Sequence, residues 1–203
     1  KSQETPVFIA ATEGKIECMQ ILIQYRADLN ARNCNDLTPL GAAVIAGQLE
    51  AATLLLERAA DIGAGLSKTP DLKIAQNQRW VKGGQRKNLV SPLHEAAAQG
   101  NLASLELLVA AEVDIDAKDW HGTSALMKAA ENGHQESVAF LIKAGANLFA
   151  VNSRGETAIV IASRSGQANC VRRLANIRYH AKYLEEALQA AAKADQIECM
   201  VEV

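Results

Sequence analysis

Aromatic residues, prolines and long apolar runs are all scarce in this sequence. Of its 203 residues, 4% are aromatic and 49% hydrophobic, so the small and aliphatic side chains of Ala, Leu, Ile and Val must form any core. No apolar run approaches the roughly 18 residues that a membrane-spanning helix needs, and the chain begins Lys-Ser-Gln-Glu, without an apolar signal segment. The cysteines are spread along the chain rather than arranged as a disulfide framework, and no Asn-X-Ser/Thr sequon occurs, so we expect an intracellular protein of the cytoplasm or nucleus. Because residue 1 is not Met, we also expect a piece of a longer protein.

A ten-residue motif recurs at a fixed interval. It reads TPVFIAATEG at 5–14, TPLGAAVIAG at 38–47, SPLHEAAAQG at 91–100, SALMKAAENG at 124–133 and TAIVIASRSG at 157–166. Successive copies begin 33 residues apart, except that 53 residues separate the second copy from the third. A fixed period of this size is typical of folds whose units bury their apolar faces by stacking on one another. The 20 additional residues predict an insertion after the second unit.

The fourth repeat shows what each unit should form. Gly122 can take the positive φ that a tight hairpin tip requires, and Ser124 can cap the helix that follows. A first helix is predicted over 125–130 and ends at Gly133. A second helix is predicted over 135–143, where apolar residues recur at helical spacing.

These units resemble the ankyrin repeat. The resemblance rests on Thr-Pro-Leu at 38–40, Ser-Pro-Leu-His at 91–94, Gly-His at 133–134, Ala-Asp-Leu-Asn at 27–30 and Gly-Ala-Asn-Leu at 145–148. It implies an all-α fold, an ankyrin-repeat α-solenoid of helix-turn-helix units joined by β-hairpin-like turns. The repeats would span about 1–33, 34–65, 90–119, 120–152 and 153–182, with a degenerate sixth at 183–203 and the insertion at 66–89.

Some residues depart from the family pattern. The histidine that follows Thr-Pro-Leu in the pattern is kept only at His94; the other repeats carry Phe8, Gly41, Met127 and Val160 there. Terminal repeats normally have a polar outer face, because nothing stacks on them. We expect repeat 1 instead to expose Phe8 and Ile9.

The cysteines and histidines show no spacing typical of catalysis or metal binding. Cys18, Cys170 and Cys199 each fall four residues after the residue that closes a motif, a position expected to face the core, so we predict buried reduced thiols. His94 and His134 resemble structural histidines of the family. Neither a His-x-x-x-His pair, a phosphate-binding glycine-rich loop nor a nucleophile elbow is present. We predict no enzymatic activity, no metal site and no cofactor, and no small-molecule substrate is evident.

The insertion concentrates positive charge. Six basic residues against one acid, Asp71, occupy 66–90, whereas the whole chain has a net charge of −2. Three interpretations stay open: a solvated loop, a finger that meets an acidic protein partner, or contact with nucleic acid or an anionic membrane. The last is least favoured, because one aromatic among basic residues makes a poor nucleic-acid site. The candidate contact residues are Trp80, Lys82, Arg86 and Lys87.

The resemblance implies a non-catalytic protein-protein interaction module that binds a protein partner on a concave face of hairpin tips and first helices. Trp120 is the preferred anchor, because large exposed aromatics dominate interface energetics; packing against the neighbouring hairpin is its alternative role. The tip candidates are Arg32, Asn33, Asn35, Trp120, His121, Ser153 and Arg154, and the first-helix candidates are Glu95, Lys128, Glu131, Asn132 and Arg164. The alternative function is a substrate-recruiting or targeting arm of a multidomain enzyme, or of a bacterial effector delivered into the host cytoplasm, with catalysis outside this chain.

Two predictions concern single positions. Glu95 and Lys128 are equivalent residues of adjacent repeats, so stacking should bring them together as an exposed ion pair or as a contact point for the partner. Asn30 and its surroundings resemble the pattern recognised by the asparaginyl hydroxylase that acts on ankyrin repeats. Asp116 lies at the target position of a second match. Both positions are therefore candidate modification sites.

Overall fold

The computed structural model describes residues 4–34, 37–62, 92–176 and 181–202. Within these ranges the protein is all-α: the helices follow one another in packed pairs, and β-type pairing is limited to an isolated bridge between Lys118 and Ser124. In chain order they are α1 Pro6–Glu13, α2 Ile16–Gln24, α3 Pro39–Ile45, α4 Leu49–Ile62, α5 Pro92–Gln99, α6 Leu102–Ala110, α7 Ala125–Glu131, α8 Gln135–Lys143, α9 Ala158–Arg164, α10 Ala168–Ala175, α11 Ala181–Lys193 and α12 Ile197–Glu202. The insertion at 66–89 lies outside the described residues, and the predicted repeat limits stay a prediction.

In the five repeats that carry the motif, the first helix begins one residue after the Thr or Ser that opens the motif. The hydroxyl of Thr5 accepts a hydrogen bond from the N–H of Phe8 at 3.3 Å, and the Ser124 hydroxyl accepts one from Met127 at 3.4 Å. These bonds satisfy backbone donors that a helix start otherwise leaves unpaired. The predicted capping role of Ser124 is confirmed.

The chain divides into two compact units. The first comprises Lys1–Glu95 and Glu106–Asp114, and the second comprises Ala96–Leu105 and Ile115–Val203. In the first unit, α1 packs on α3, and each of them packs on the second helix of its own pair. In the second unit, α9 packs between α7 and α11, while α10 contacts both α8 and α12. Fully buried alanines such as Ala129 and Ala162 let these helices approach closely.

Left-handed backbone marks the helix ends. Gly133 has φ 79°, and a β-carbon there would overlap the side-chain amide of Gln167 in the next repeat. Gly145 closes α8 with φ 92°, as the sequence indicated for that position. Arg26 and Glu112 stand at the equivalent position of their repeats and adopt φ 55° and 59°. They therefore accept a conformation that glycine takes at lower energetic cost.

The prediction that Cys18 faces the core is wrong. Cys170 and Cys199 are buried as expected, but Cys18 is exposed and the neighbouring Met19 is buried in its place. Because this position is buried in the last described helix pair and exposed in the first, it faces the preceding repeat. No helix of the described ranges precedes α1, so nothing there covers Cys18.

The predicted exposure of repeat 1 is half right. Ile9 is 46% exposed, but Phe8 is buried. The position that Phe8 occupies is buried in all five repeats that carry the motif, where the other residues are Gly41, His94, Met127 and Val160. An aromatic ring at this place therefore adds to the core rather than to the outer face.

Candidate functional site

The hairpin tip of repeat 4 is a rigid turn that displays two aromatic rings. Trp120 is 52% exposed and its indole lies against the ring of His121. Below them, a carboxylate oxygen of Asp119 accepts hydrogen bonds from the backbone N–H groups of His121 at 2.9 Å and Thr123 at 2.8 Å. Gly122 turns the chain with φ 72°. These two hydrogen bonds and the glycine turn support the hairpin conformation of the tip.

The tip of repeat 5 lies against this turn. The backbone N–H of Ser153 donates to the carbonyl of His121 at 2.9 Å, and a β-carbon at Gly122 would come within 3.1 Å of the Ser153 nitrogen. Arg154 follows, with its backbone N–H held by the side chain of Asn152 at 2.8 Å. Four of the predicted residues, Trp120, His121, Ser153 and Arg154, thus form one continuous surface, here called the tip patch.

Three of the predicted first-helix residues form a chain of ion pairs. The ammonium of Lys128 lies 3.8 Å from a carboxylate oxygen of Glu131 and 3.9 Å from Asp119. The guanidinium of Arg164 lies 4.0 Å from Glu131 and 3.4 Å from Glu156. The charged ladder, which we define as these five residues, runs from α7 to α9. Each pair is partly exposed, so it contributes under about 1 kcal/mol.

Asn132 adds a polar group beside the ladder. It is exposed, and its side-chain amide donates to the carbonyl of Lys128 at 2.9 Å. Glu95 and Lys128 belong to different compact units, so the ion pair expected between them stays a prediction.

A groove of about 500 Å³ continues from the tip patch along α9 and α11. It is lined by Arg154, Gly155, Glu156, Val160, Arg164, Glu186, Gln189, Ala190, Lys193 and Ala194. We call it the α9–α11 groove. The sequence analysis did not predict the groove residues contributed by α11, because the sixth repeat is degenerate. One signal was present: Lys193 precedes Asp195 by two residues, as Arg164 precedes Gly166.

The remaining candidates lie elsewhere. Asn33 closes its own turn, since its side chain accepts from the N–H of Leu37 at 3.1 Å, and Arg32 beside it is half-buried. Both belong to the first unit, as does Glu95. The candidates outside the described residues are Asn35, Trp80, Lys82, Arg86 and Lys87.

Comparison with known proteins decides the family. The family model described as ankyrin repeats (3 copies) matches residues 1–65 and 72–152. The chain belongs to the ankyrin-repeat family. Its fold is accordingly the all-α ankyrin solenoid that the motif predicted, and repeats of this family are generally protein-interaction modules.

A curated relative of this ankyrin-repeat chain is the protein named B-cell lymphoma 3 protein homolog of Mus musculus. The two are 31% identical over an alignment of 142 residues. The match covers 61% of the chain and 32% of the relative. The chain thus spans about a third of the length of the relative that it matches.

The two candidate modification sites differ in their ankyrin hairpins. Asn30 is exposed, and its backbone N–H donates to a carboxylate oxygen of Asp28 at 2.9 Å. Asp116 is half-buried and accepts a hydrogen bond from the backbone N–H of Asn147 at 2.7 Å. The carboxylate of Asp116 therefore links its own repeat to the next one through this hydrogen bond. Hydroxylation at either position stays a prediction.

Cys170, His94 and His134 lie in the packed interior of the ankyrin scaffold or against its backbone. Burial raises the pKa of the Cys170 thiol to about 11, against a smaller lowering by the charge of Arg173. A ring nitrogen of His134 lies 2.9 Å from the carbonyl oxygen of Ala98, and His94 is buried. No group of three or more His, Cys, Asp or Glu side chains in the described ranges could hold a metal ion. Among the described helices, none has the length and apolar character to cross a membrane.

Proposed function

We propose that this chain is a non-catalytic interaction module that binds a protein partner through the tip patch and the charged ladder. The observation that carries the proposal is the junction of the two tips, where the Ser153 N–H donates to the His121 carbonyl. It places the exposed Trp120 next to a series of charged side chains that reaches Arg164. An apolar anchor bordered by polar groups is the arrangement that protein interfaces use.

Preorganisation supports the same proposal. The tip backbone is fixed by Asp119 and Gly122, and the ladder side chains already pair with one another. Binding would then order few additional groups, which preserves more of the contact energy as affinity. The partner would bury the indole of Trp120 and keep the ladder at the hydrated edge of the contact.

The insertion supports a second contact. Its excess of basic residues complements an acidic region of the partner, and long-range attraction of this kind mainly raises the association rate. We infer that the interaction takes place inside the cell, in the cytoplasm or the nucleus. A role as the recruiting arm of a larger enzyme would use the same surface.

Affinity capture from a cell lysate tests the proposal. The bait is the whole 203-residue chain, compared with Trp120→Ala and with a chain that lacks Leu66–Asn88. We expect Trp120→Ala to reduce capture of a defined protein. The deletion should also reduce capture, and its effect should be larger at low salt than at high salt, because salt screens the charges of the insertion. Tyr25→Ala is the matched control, because Tyr25 is an aromatic residue that is 82% exposed and belongs to the other compact unit of the chain. Equal capture by the wild-type chain and Trp120→Ala would contradict the assigned anchor.

A further inference from the structure

We propose that the α9–α11 groove binds an extended acidic segment of the protein partner, whose carboxylates lie between Arg154 and Lys193. The inference rests on the proposed interaction function and specifies the chemistry that one part of the surface recognises. It is independent of the basic insertion, which belongs to another region of the sequence.

The charges of the groove are unevenly compensated. Arg164 is neutralised by Glu131 and Glu156. Arg154 and Lys193 also line the groove and are exposed, but neither cationic group has an ion pair or a hydrogen bond with the described residues. Two positive charges thus face one groove without an internal partner.

The acids of the groove are already occupied. Glu156 lies 3.4 Å from the guanidinium of Arg164 and accepts a hydrogen bond from the side-chain amide of Asn152 at 2.9 Å. Glu186 also interacts with a neighbouring group. Since these carboxylates are engaged, they leave Arg154 and Lys193 to attract charge from outside.

The residues that line the groove suit a polypeptide segment. Ala190 is half-buried and supplies apolar surface at which an aliphatic side chain can pack, beside the buried Val160, while the lining residues Gly155 and Gln189 are exposed. The guanidinium of Arg154 can hold a carboxylate through two parallel N–H groups, whereas Lys193 contributes a compact charge. An alternation of acidic and aliphatic residues would match this surface.

Selection from a displayed peptide library tests the inference. The bait is the full chain, and peptides enriched by it are resynthesised with a fluorescent label for affinity measurement. We expect enrichment of sequences rich in Asp and Glu. Their binding should weaken by about tenfold in Arg154→Gln/Lys193→Gln, the loss expected from removing two partly exposed ion pairs.

The control variant removes two positive charges elsewhere. In Lys15→Gln/Lys143→Gln both original side chains are exposed and lie outside the groove, and Lys143 occupies the last turn of its helix as Lys193 does. Glutamine is also the natural residue at the position of Lys15 in other repeats, at Gln48 and Gln167. We expect the control to bind the acidic peptides as the wild-type chain does.

The other outcomes separate this inference from the proposed function. Enriched peptides that are not acidic but lose affinity in Trp120→Ala would overturn the inference and leave the interaction module in place. Acidic peptides that bind Arg154→Gln/Lys193→Gln with unchanged affinity would place their site outside the groove. Stronger competition by a single-stranded oligonucleotide than by unlabelled acidic peptide would assign the charges to phosphate recognition and overturn the proposal. Failure to enrich any peptide would overturn this inference alone, because the lysate capture with Trp120→Ala tests the interaction module separately.

Discussion

The carboxylate of Asp116 accepts a hydrogen bond from the backbone N–H of Asn147, at 2.7 Å, across the boundary between two repeats. From the same hairpin, the ammonium of Lys118 donates to the carbonyl of Val151 at 2.9 Å. Two side chains of one repeat therefore hold the backbone of the next. The register of the tip patch depends on these polar contacts as well as on helix packing.

Removing the Asp116 carboxylate should loosen this boundary. We expect Asp116→Ala to lower the free energy of unfolding by about 1–2 kcal/mol, because the backbone N–H of Asn147 loses its acceptor. Asp116→Asn keeps an acceptor oxygen and should lose less. Urea titration followed by circular dichroism measures both. Glu106→Ala, which truncates an exposed side chain of α6, should change stability little. An Asp116→Ala chain as stable as that control would show that the hydrogen bond contributes nothing.

Glycine at the left-handed helix ends should stabilise the protein. Glu112 adopts φ 59°, where a β-carbon is disfavoured by about 1–2 kcal/mol. Glycine removes this penalty but gives the unfolded chain more backbone entropy, which offsets part of the gain. Glu112→Gly should therefore raise the free energy of unfolding by about 1 kcal/mol. The reverse change, Gly145→Ala, is the matched comparison: its β-carbon would meet no atom within 4 Å, yet φ is 92°. Thermal unfolding should shift in opposite directions for the two variants, and a shift of the same sign would refute the strain argument.

Buried hydroxyl groups should be replaceable. Ser137 is 1% exposed, and its side-chain oxygen has no hydrogen-bond partner among the described residues. Ser137→Ala removes this unsatisfied group and favours the helix, so we expect about 1 kcal/mol of stabilisation in chemical unfolding. Ser124→Ala instead removes a helix cap and should lose about 1 kcal/mol. Destabilisation by Ser137→Ala would indicate that its hydroxyl is hydrogen-bonded in solution.

The cysteines should differ in reactivity and in their effect at high pH. Cys18 and Cys34 are exposed and should be alkylated in the folded protein, whereas Cys170 should react only after unfolding.

Between pH 9 and about 11 the Cys170 thiol keeps its proton when folded and loses it when unfolded. The unfolded state then binds fewer protons, so stability falls as the pH rises. Cys170→Ala should lessen this decline; an unchanged slope would assign it to other groups.

Local chemistry determined much of what the sequence predicted. The motif spacing located the helix pairs, and the second helix of repeat 4 runs over Gln135–Lys143 as predicted. Such features depend on contacts between residues close in the chain: a cap reaches three residues, and an apolar stripe repeats within one helix. The cap at Ser124 and the turn at Gly122 belong to this class.

Packing between repeats decided the rest. Cys18 and Cys170 hold the same motif position, yet one is exposed and the other buried, because burial there requires a preceding repeat. The α9–α11 groove forms where α11 packs on α9. This packing brings Arg154 and Lys193, which are 39 residues apart in the chain, to the lining of one groove. The sequence by itself determined the repeat and its helices, since those arise from local spacing. The tertiary structure alone decided which charges pair and which face solvent, since that depends on distances between atoms of different repeats.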